Sequence, residues 1–214
     1  MSDEYTLYDS RLSGNAWKVR LLLSHLRYPF KRVTFALPEG KTRLPEFIAK
    51  NPSGKVPVLE APDGRTLFES NAILIWLGQG TSFWPDDAFA QAEAAQWMFF
   101  EQTEVVRNLS GPRFAIAIAK KTEGREAEIA AWHAAGDKAL GIIDRHLAAR
   151  AFFVADRYTI ADIAHYPYIS LAHEGGYDMR RYPAIGAWLE RVRQQPGYVP
   201  LVEADAGIGK SVSA

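Results

Sequence analysis

The sequence predicts an α/β domain followed by an all-helical domain, and three observations point that way. Short β-prone runs and one amphipathic stripe alternate as far as Phe68. A turn-rich stretch from Gly78 to Asp87 then interrupts the pattern. Beyond it the apolar spacing is helical throughout. The expected division is residues 1–78, a linker at 79–87 and a helical domain at 88–214.

In the first domain, Thr6 to Tyr8 is a short strand, and residues 9–15 form a loop by composition. Val19, Leu22, Leu23 and Leu26 then fall at i, i+3, i+4 and i+7, which makes Ala16 to Leu26 an amphipathic helix. Arg32 to Phe35 reads as a second strand, so the first three elements make a right-handed parallel unit. Leu44 to Ala49 forms a short helix ended by Asn51 and Pro52. Asp63-Gly64 is a tight-turn signal between Val58-Leu59 and Leu67-Phe68, the two strands of an antiparallel hairpin. Ile73, Leu74 and Leu77 mark a further helix, for which Ser70 is the expected N-cap. The order βαβ-ββα is thioredoxin-like.

In the second domain, Asp86 or Asp87 caps a helix from Ala88 to Leu109, and Gly111-Pro112 is expected to break or kink it. Trp97, Phe99 and Phe100 read as core or as a dimer surface. Glu101 and Glu104, with Arg107 beyond, read as a solvated or dimer-facing ion pair. Thr122 to Gly124 is another break. Ile129, Trp132, Gly136, Leu140, Ile143 and Leu147 mark a second long helix. Thr159 and Asp162 form a capping box with Asp in place of Glu, a structural role. Pro183 opens a helix carrying Ile185, Trp188, Leu189 and Val192, stopped by Pro196-Gly197. Gly207 to Ala214 are expected to fray.

Composition narrows the function. Lys+Arg and Asp+Glu are both 25, and the net charge of zero points to neither nucleic acid nor an anionic membrane. With no cysteine, disulfides, thiolate metal sites and a cysteine nucleophile are excluded. The five histidines have no metal-like spacing, so no metal is assigned. The acidic start, Met1 to Glu4, does not read as a signal peptide, and a cytoplasmic protein is expected.

The candidate site lies in two places. Pro57 stands at the hairpin entrance, where its missing N–H loses no ladder bond. A cis Val56-Pro57 bond would turn the Val56 peptide groups toward an extended, peptide-like ligand. The helix start at Ser70 favours a carboxylate, and Glu69 beside it can pair with an ammonium. That combination suits an α-amino acid. In the loop before the first helix, Ser13 or Asn15 is either simply an N-cap or a donor to a ligand thiolate. Lowering a thiol pKa of ~8.5 by about two units needs roughly 2.7 kcal/mol. One hydrogen bond to a charged group contributes ~1.5–3 kcal/mol.

Three motifs carry a resemblance: the run from Leu7 to Leu21 around Ser13-Gly14-Asn15, the run Asn51 to Pro57, and the run Phe68 to Ile73. In this order and spacing they resemble the glutathione transferase family, across almost the whole chain. The resemblance implies that Ser13 steadies the glutathione thiolate, with Asn15 assisting. Val56, before a cis Pro57, would pair with the cysteinyl backbone, and Glu69 and Ser70 would hold the γ-glutamyl group. Lys55 matches a position that reaches the glycyl carboxylate. Theta-like members can carry a histidine near Lys41-Thr42-Arg43; here Lys41, Arg43 or Lys55 supplies the charge. Tyr8 and Ser10 are rival thiolate donors, since other branches use a tyrosine at the end of the first strand. The Ser-Gly-Asn run is similar to serine-type branches and to bacterial relatives with Thr-Pro-Asn, several of which reduce disulfides or peroxides.

The implied activity is transfer of the glutathione thiolate to an electrophilic small molecule, a detoxifying conjugation carried out by a homodimer. The alternatives are glutathione-dependent disulfide or peroxide reduction and a non-catalytic binding module. A zeta-like isomerase or dehalogenase fits less well, because its Ser-Ser-Cys run is absent. Arg11, Leu12, Asn108 and Pro112 are the wall residues the family order implies for the second substrate.

Overall fold

The computed structural model describes residues 4–36 and 40–202 and the backbone of Ser211–Ser213. It divides into two compact units, Met1–Gln79 with Pro196–Ala214, and Gly80–Gln195.

The first unit is built on a sheet whose strands, in spatial order, are Thr66–Phe68 (β4), Val58–Glu60 (β3), Tyr5–Asp9 (β1), Phe30–Thr34 (β2) and Ser211–Ser213 (β5). Strand β1 (Tyr5–Asp9) runs parallel to β2 (Phe30–Thr34), with Leu7 opposite Arg32. On its other side β1 pairs antiparallel with β3 (Val58–Glu60), which continues into β4 (Thr66–Phe68) as the expected hairpin. Helix α1 (Gly14–His25) and helix α3 (Ser70–Gly78) pack on each other, while α2 (Pro45–Ile48) follows a 3-10 turn at Lys41–Arg43.

The alternation of a strand sorts the two faces. Leu7 and Asp9 are fully buried with Val19, Leu22, Leu23, Leu59, Ile73 and Leu74, and each large apolar side chain so buried contributes about 1.5–3 kcal/mol. Tyr8 turns the other way and joins Phe35, Phe47 and Val58.

The division at 88–214 needs correction at the chain's end. Trp17 Nε1 donates to the Val199 carbonyl at 2.7 Å, and Arg20 Nη2 to that of Leu201 at 2.9 Å, so residues after Pro196 belong with the sheet. Ser211–Ser213 form β5, parallel to β2, where fraying was expected; residues 207–210 and Ala214 lie outside the described residues. Nothing in the residue types of this segment advertises a strand. Arg20 also meets Asp9, whose Oδ2 lies 3.2 Å from Arg20 Nε and 2.7 Å from Arg32 Nη2. Burial raises the Asp9 pKa, and the two guanidinium groups oppose that rise.

In the second unit α4 (Ala88–Phe100), capped by Asp87, does not stop at Leu109. It passes through a π-helical turn at Glu101–Val106 into α5 (Arg107–Arg113) and a second π turn at Phe114–Ile118. Gly111-Pro112 therefore lies inside the helical run, and the expected break is absent. Two side chains explain this. Pro112 cannot donate to the Asn108 carbonyl, but the Tyr177 hydroxyl lies 2.9 Å from that oxygen, as it does from the Trp132 carbonyl, and its one hydrogen is shared in place of the missing N–H. At Gly111 an added Cβ would stand 2.7 Å from the Trp132 ring, so only glycine admits this approach.

The π turn also separates Glu101 and Glu104, which the sequence reading set on one solvated or dimer-facing side. Bonding from i to i+5 widens the turn, so residues three apart no longer stack. Glu101 is fully buried while Glu104 is exposed. Helix α6 (Glu126–Leu147), α7 (Ile160–Ser170) and α8 (Pro183–Arg193) complete the unit around Trp188, Ile163 and Ile143, all fully buried.

Candidate functional site

The sequence-predicted residues fall on three pieces of the first unit. The first is the start of α1. Ser13 is its N-cap, accepting from the Ala16 N–H at 3.2 Å. Capping uses a lone pair on Ser13 Oγ and leaves the O–H proton, so the cap and a donor to an anion are compatible roles. Ser13 is half-buried, whereas Ser10 is buried.

Tyr8, the other rival, is committed elsewhere. Its hydroxyl donates to Glu60 Oε2 at 2.9 Å, and Lys50 Nζ reaches the same oxygen at 2.7 Å. Burial, and then the Glu60 hydrogen bond, raise the Tyr8 pKa, the opposite of what a thiolate stabiliser needs. A cavity of about 380 Å³ opens on this face, lined by Tyr8, Phe35, Leu44 and Phe47. Lys41, Glu46 and Lys50 line it as well, and none of Ser13, Asn15, Glu69 or Ser70 does.

The second piece is the loop before β3. Asn51 shapes it: its Nδ2 donates to the Lys55 carbonyl at 2.7 Å, and its Oδ1 accepts from Ser53 N–H at 2.9 Å. Gly54, at φ 63°, crosses over the Thr42 carbonyl, which would stand 3.1 Å from a Cβ there. The Val56–Pro57 bond is cis, as the sequence suggested. Val56, outside β3, makes no backbone hydrogen bond to another described residue. Lys55 is exposed, Lys41 half-buried and Arg43 exposed.

The third piece is the start of α3, where one expectation is corrected. Ser70 is the first helical residue and Glu69 occupies the cap position, at φ 66° and ψ 108°, without a side-chain capping bond. The hairpin ends at Phe68, so Glu69 alone joins the strand to the helix. Glu69 is exposed and Ser70 buried.

The packing of α1 on α3 brings the first and third pieces together. Ser70 Oγ lies 3.4 Å from Asn15 Oδ1, a long but aligned contact. Lys18 Nζ lies 3.4 Å from both Ser70 Oγ and Asn71 Oδ1. The sequence reading gave Lys18 and Asn71 no role of their own, and Asn51 only the end of a helix and a place in a motif. A signal for Lys18 was there, since it stands four residues before Leu22 on a face whose spacing is apolar.

Among the described residues no group of three His, Cys, Asp or Glu side chains could hold a metal. The histidines instead serve the fold: His133 Nε2 lies 2.7 Å from the Gly175 carbonyl, and His165 Nδ1 2.9 Å from that of Ala161.

Comparison with known proteins follows this geometry. The N-terminal domain model of glutathione S-transferases matches residues 12–79, and the C-terminal domain model matches 94–196. A glutathione S-transferase from Pseudomonas fluorescens Pf-5 is 39% identical with a TM-score of 0.91, over 93% of this chain and 99% of that one. A glutathione transferase from Burkholderia graminis, solved with two glutathione molecules per subunit, is 26% identical with a TM-score of 0.80, over 91% and 85% of the chains. The protein URE2 of Meyerozyma guilliermondii is 25% identical over 246 aligned residues, covering 95% of this chain and 81% of its own. With both domain models matched in order across most of its length, this chain belongs to the glutathione S-transferase family.

Proposed function

We propose that this protein is a glutathione transferase whose Ser13 hydroxyl, assisted by the Asn15 amide, stabilises the glutathione thiolate. The observation that carries the reading is the meeting of two helix starts: α1 offers Ser13 and Asn15, and α3 offers Glu69 and Ser70, with Asn15 touching Ser70. Glutathione carries a thiol and an α-amino acid at one end, and the two helix starts offer a donor for each anion. Val56, with its peptide groups unused, suits the cysteinyl backbone between them, and Pro57 fixes its direction. Lys55, adjacent and exposed, suits the glycyl carboxylate better than Lys41 or Arg43.

In the reaction the thiolate sulfur forms a bond to an electrophilic carbon, and the leaving group departs with its electron pair. Holding the thiolate in place supplies much of the rate. Exposed Phe89 and Phe99, each 73% accessible on α4, support self-association as a homodimer. The absence of any metal requirement and a cytoplasmic location are part of the same reading.

A second reading has its own support. The Burkholderia graminis relative holds two glutathione molecules per subunit, the stoichiometry that reduction of a disulfide or peroxide consumes.

The test is the ultraviolet absorbance of bound glutathione thiolate against pH, in the wild type and Ser13→Ala. A bound thiol pKa about two units below the free value of ~8.5, returned toward it by the substitution, supports the transferase. An unshifted thiol, or no binding, supports a non-catalytic module instead, and the relationship to URE2 would then be the more informative one. Turnover with an aryl halide against turnover with a glutathione mixed disulfide separates conjugation from reduction.

A further inference from the structure

We propose that Lys18 is a positioning residue that couples the two ends of the glutathione site, charging the start of α3 and fixing the orientation of the Asn15 amide. This rests on the reading that the start of α3 receives the γ-glutamyl carboxylate. Lys18 is 0% exposed and is carried by α1, five residues after the Ser13 cap. Its ammonium stands between Ser70 Oγ and Asn71 Oδ1, 3.4 Å from each. A lysine ammonium donates and cannot accept. Ser70 Oγ is therefore the acceptor toward Lys18, and its one hydrogen is left for Asn15 Oδ1, 3.4 Å away.

A direction follows from this chain. Asn15 presents its oxygen to Ser70, so its NH₂ group is turned away from Ser70 and left as a donor. Reversing the amide would take the Asn15 oxygen away from the Ser70 hydrogen and make Ser70 Oγ accept from both Lys18 and Asn15. Each link polarises the next, and a charged first member strengthens the whole chain. The same ammonium adds a full positive charge to the roughly half charge of the α3 helix start. One buried lysine thus serves the carboxylate directly through charge and the thiolate through Ser70 and Asn15.

The experiment compares glutathione with 4-aminobutyryl-cysteinyl-glycine, which lacks only the γ-glutamyl α-amino acid's carboxylate, in the wild type, Lys18→Met and Ser70→Ala. The wild type is expected to bind glutathione at least 10-fold more tightly than the analogue. Lys18→Met is expected to erase most of that preference, lowering glutathione affinity about 10-fold and leaving the analogue within about twofold. A wild type that binds both peptides alike overturns the reading of the α3 start itself. A Lys18→Met variant that keeps the preference, or loses both peptides equally, overturns the role of Lys18 alone. Should Lys18→Met fail to fold, Ser70→Ala cuts the chain at its middle link. The bound thiol pKa should then rise by about one unit, and no rise overturns the coupling.

Discussion

The indole N–H of Trp188 donates to Oδ1 of Asp162 at 2.9 Å, tying α8 to the first turn of α7. Phe153 N–H reaches the same oxygen at 3.1 Å, and Thr159 N–H reaches Oδ2 at 2.9 Å. The capping box inferred from Thr159 and Asp162 is present, and its carboxylate does more than cap a helix. Burial nevertheless outweighs these donors and pushes the Asp162 pKa from 3.8 up to about 6.

The sign of the pH dependence follows. Because the folded-state pKa lies above the unfolded one, the folded protein holds the extra proton between about 3.8 and 6. The stabilisation linked to this group is complete at the acidic end and is lost as pH rises through about 6. Asp162→Asn keeps an oxygen for Trp188 and Phe153 but sets an NH₂ against the Thr159 N–H, a loss of about 1–3 kcal/mol. Urea unfolding should show the variant weaker by that amount at pH 5 and closer to the wild type at pH 7.5. A gap that widens with pH would mean the carboxylate is favoured by its site.

Much of this architecture was legible because it rests on local patterns. Val19, Leu22 and Leu23 mark α1, Asp63-Gly64 the hairpin, and Thr159 with Asp162 the cap of α7. The misses share one physical origin, namely partners distant in sequence. Pro112 looked like a helix breaker because Tyr177, 65 residues later, supplies the replacement donor to Asn108. Pro196-Gly197 read only as a helix stop, and the helical domain was carried on to residue 214, because nothing near it announces Trp17 and Arg20. Of the proposed site, Ser13, Val56 and Ser70 could be picked out by their place at helix starts and turns, whereas Lys18 makes contacts that only folding brings about.

Tyr177 and Pro112 should show coupled energetics. Tyr177→Phe leaves the Asn108 carbonyl without its hydroxyl partner, which should cost about 1–3 kcal/mol of unfolding free energy. In a Pro112→Ala background the restored N–H of residue 112 can take that carbonyl. A double-mutant cycle by chemical denaturation should therefore give a coupling of at least about 0.5 kcal/mol, and strict additivity would contradict the substitution of one donor for the other.

Asp9 presents the opposite balance, a buried carboxylate facing Arg20 and Arg32. Asp9→Asn strands two guanidinium groups, one of them fully buried, and should cost about 3–5 kcal/mol. A loss below about 1 kcal/mol in guanidinium chloride unfolding would show that the carbonyls of Pro200 and Leu201 suffice for Arg20.

Glu69 should trade stability against binding. Its backbone sits at φ 66°, a region that side chains with a Cβ occupy at a cost of about 1–3 kcal/mol. Glycine bears no such penalty but loses about 0.5–1 kcal/mol in chain entropy. Glu69→Gly should thus raise the unfolding free energy by about 0.5–1 kcal/mol, while Glu69→Ala, with the strain retained, should leave it unchanged. Both remove the carboxylate proposed to meet the glutathione ammonium, a charge-assisted bond of about 1.5–3 kcal/mol, so both should weaken glutathione about 10- to 100-fold. Calorimetric titration beside thermal unfolding reads the two effects separately. Unchanged affinity in both variants would remove Glu69 from the site, and a glycine variant less stable than the alanine one would mean that the backbone at Glu69 is unstrained.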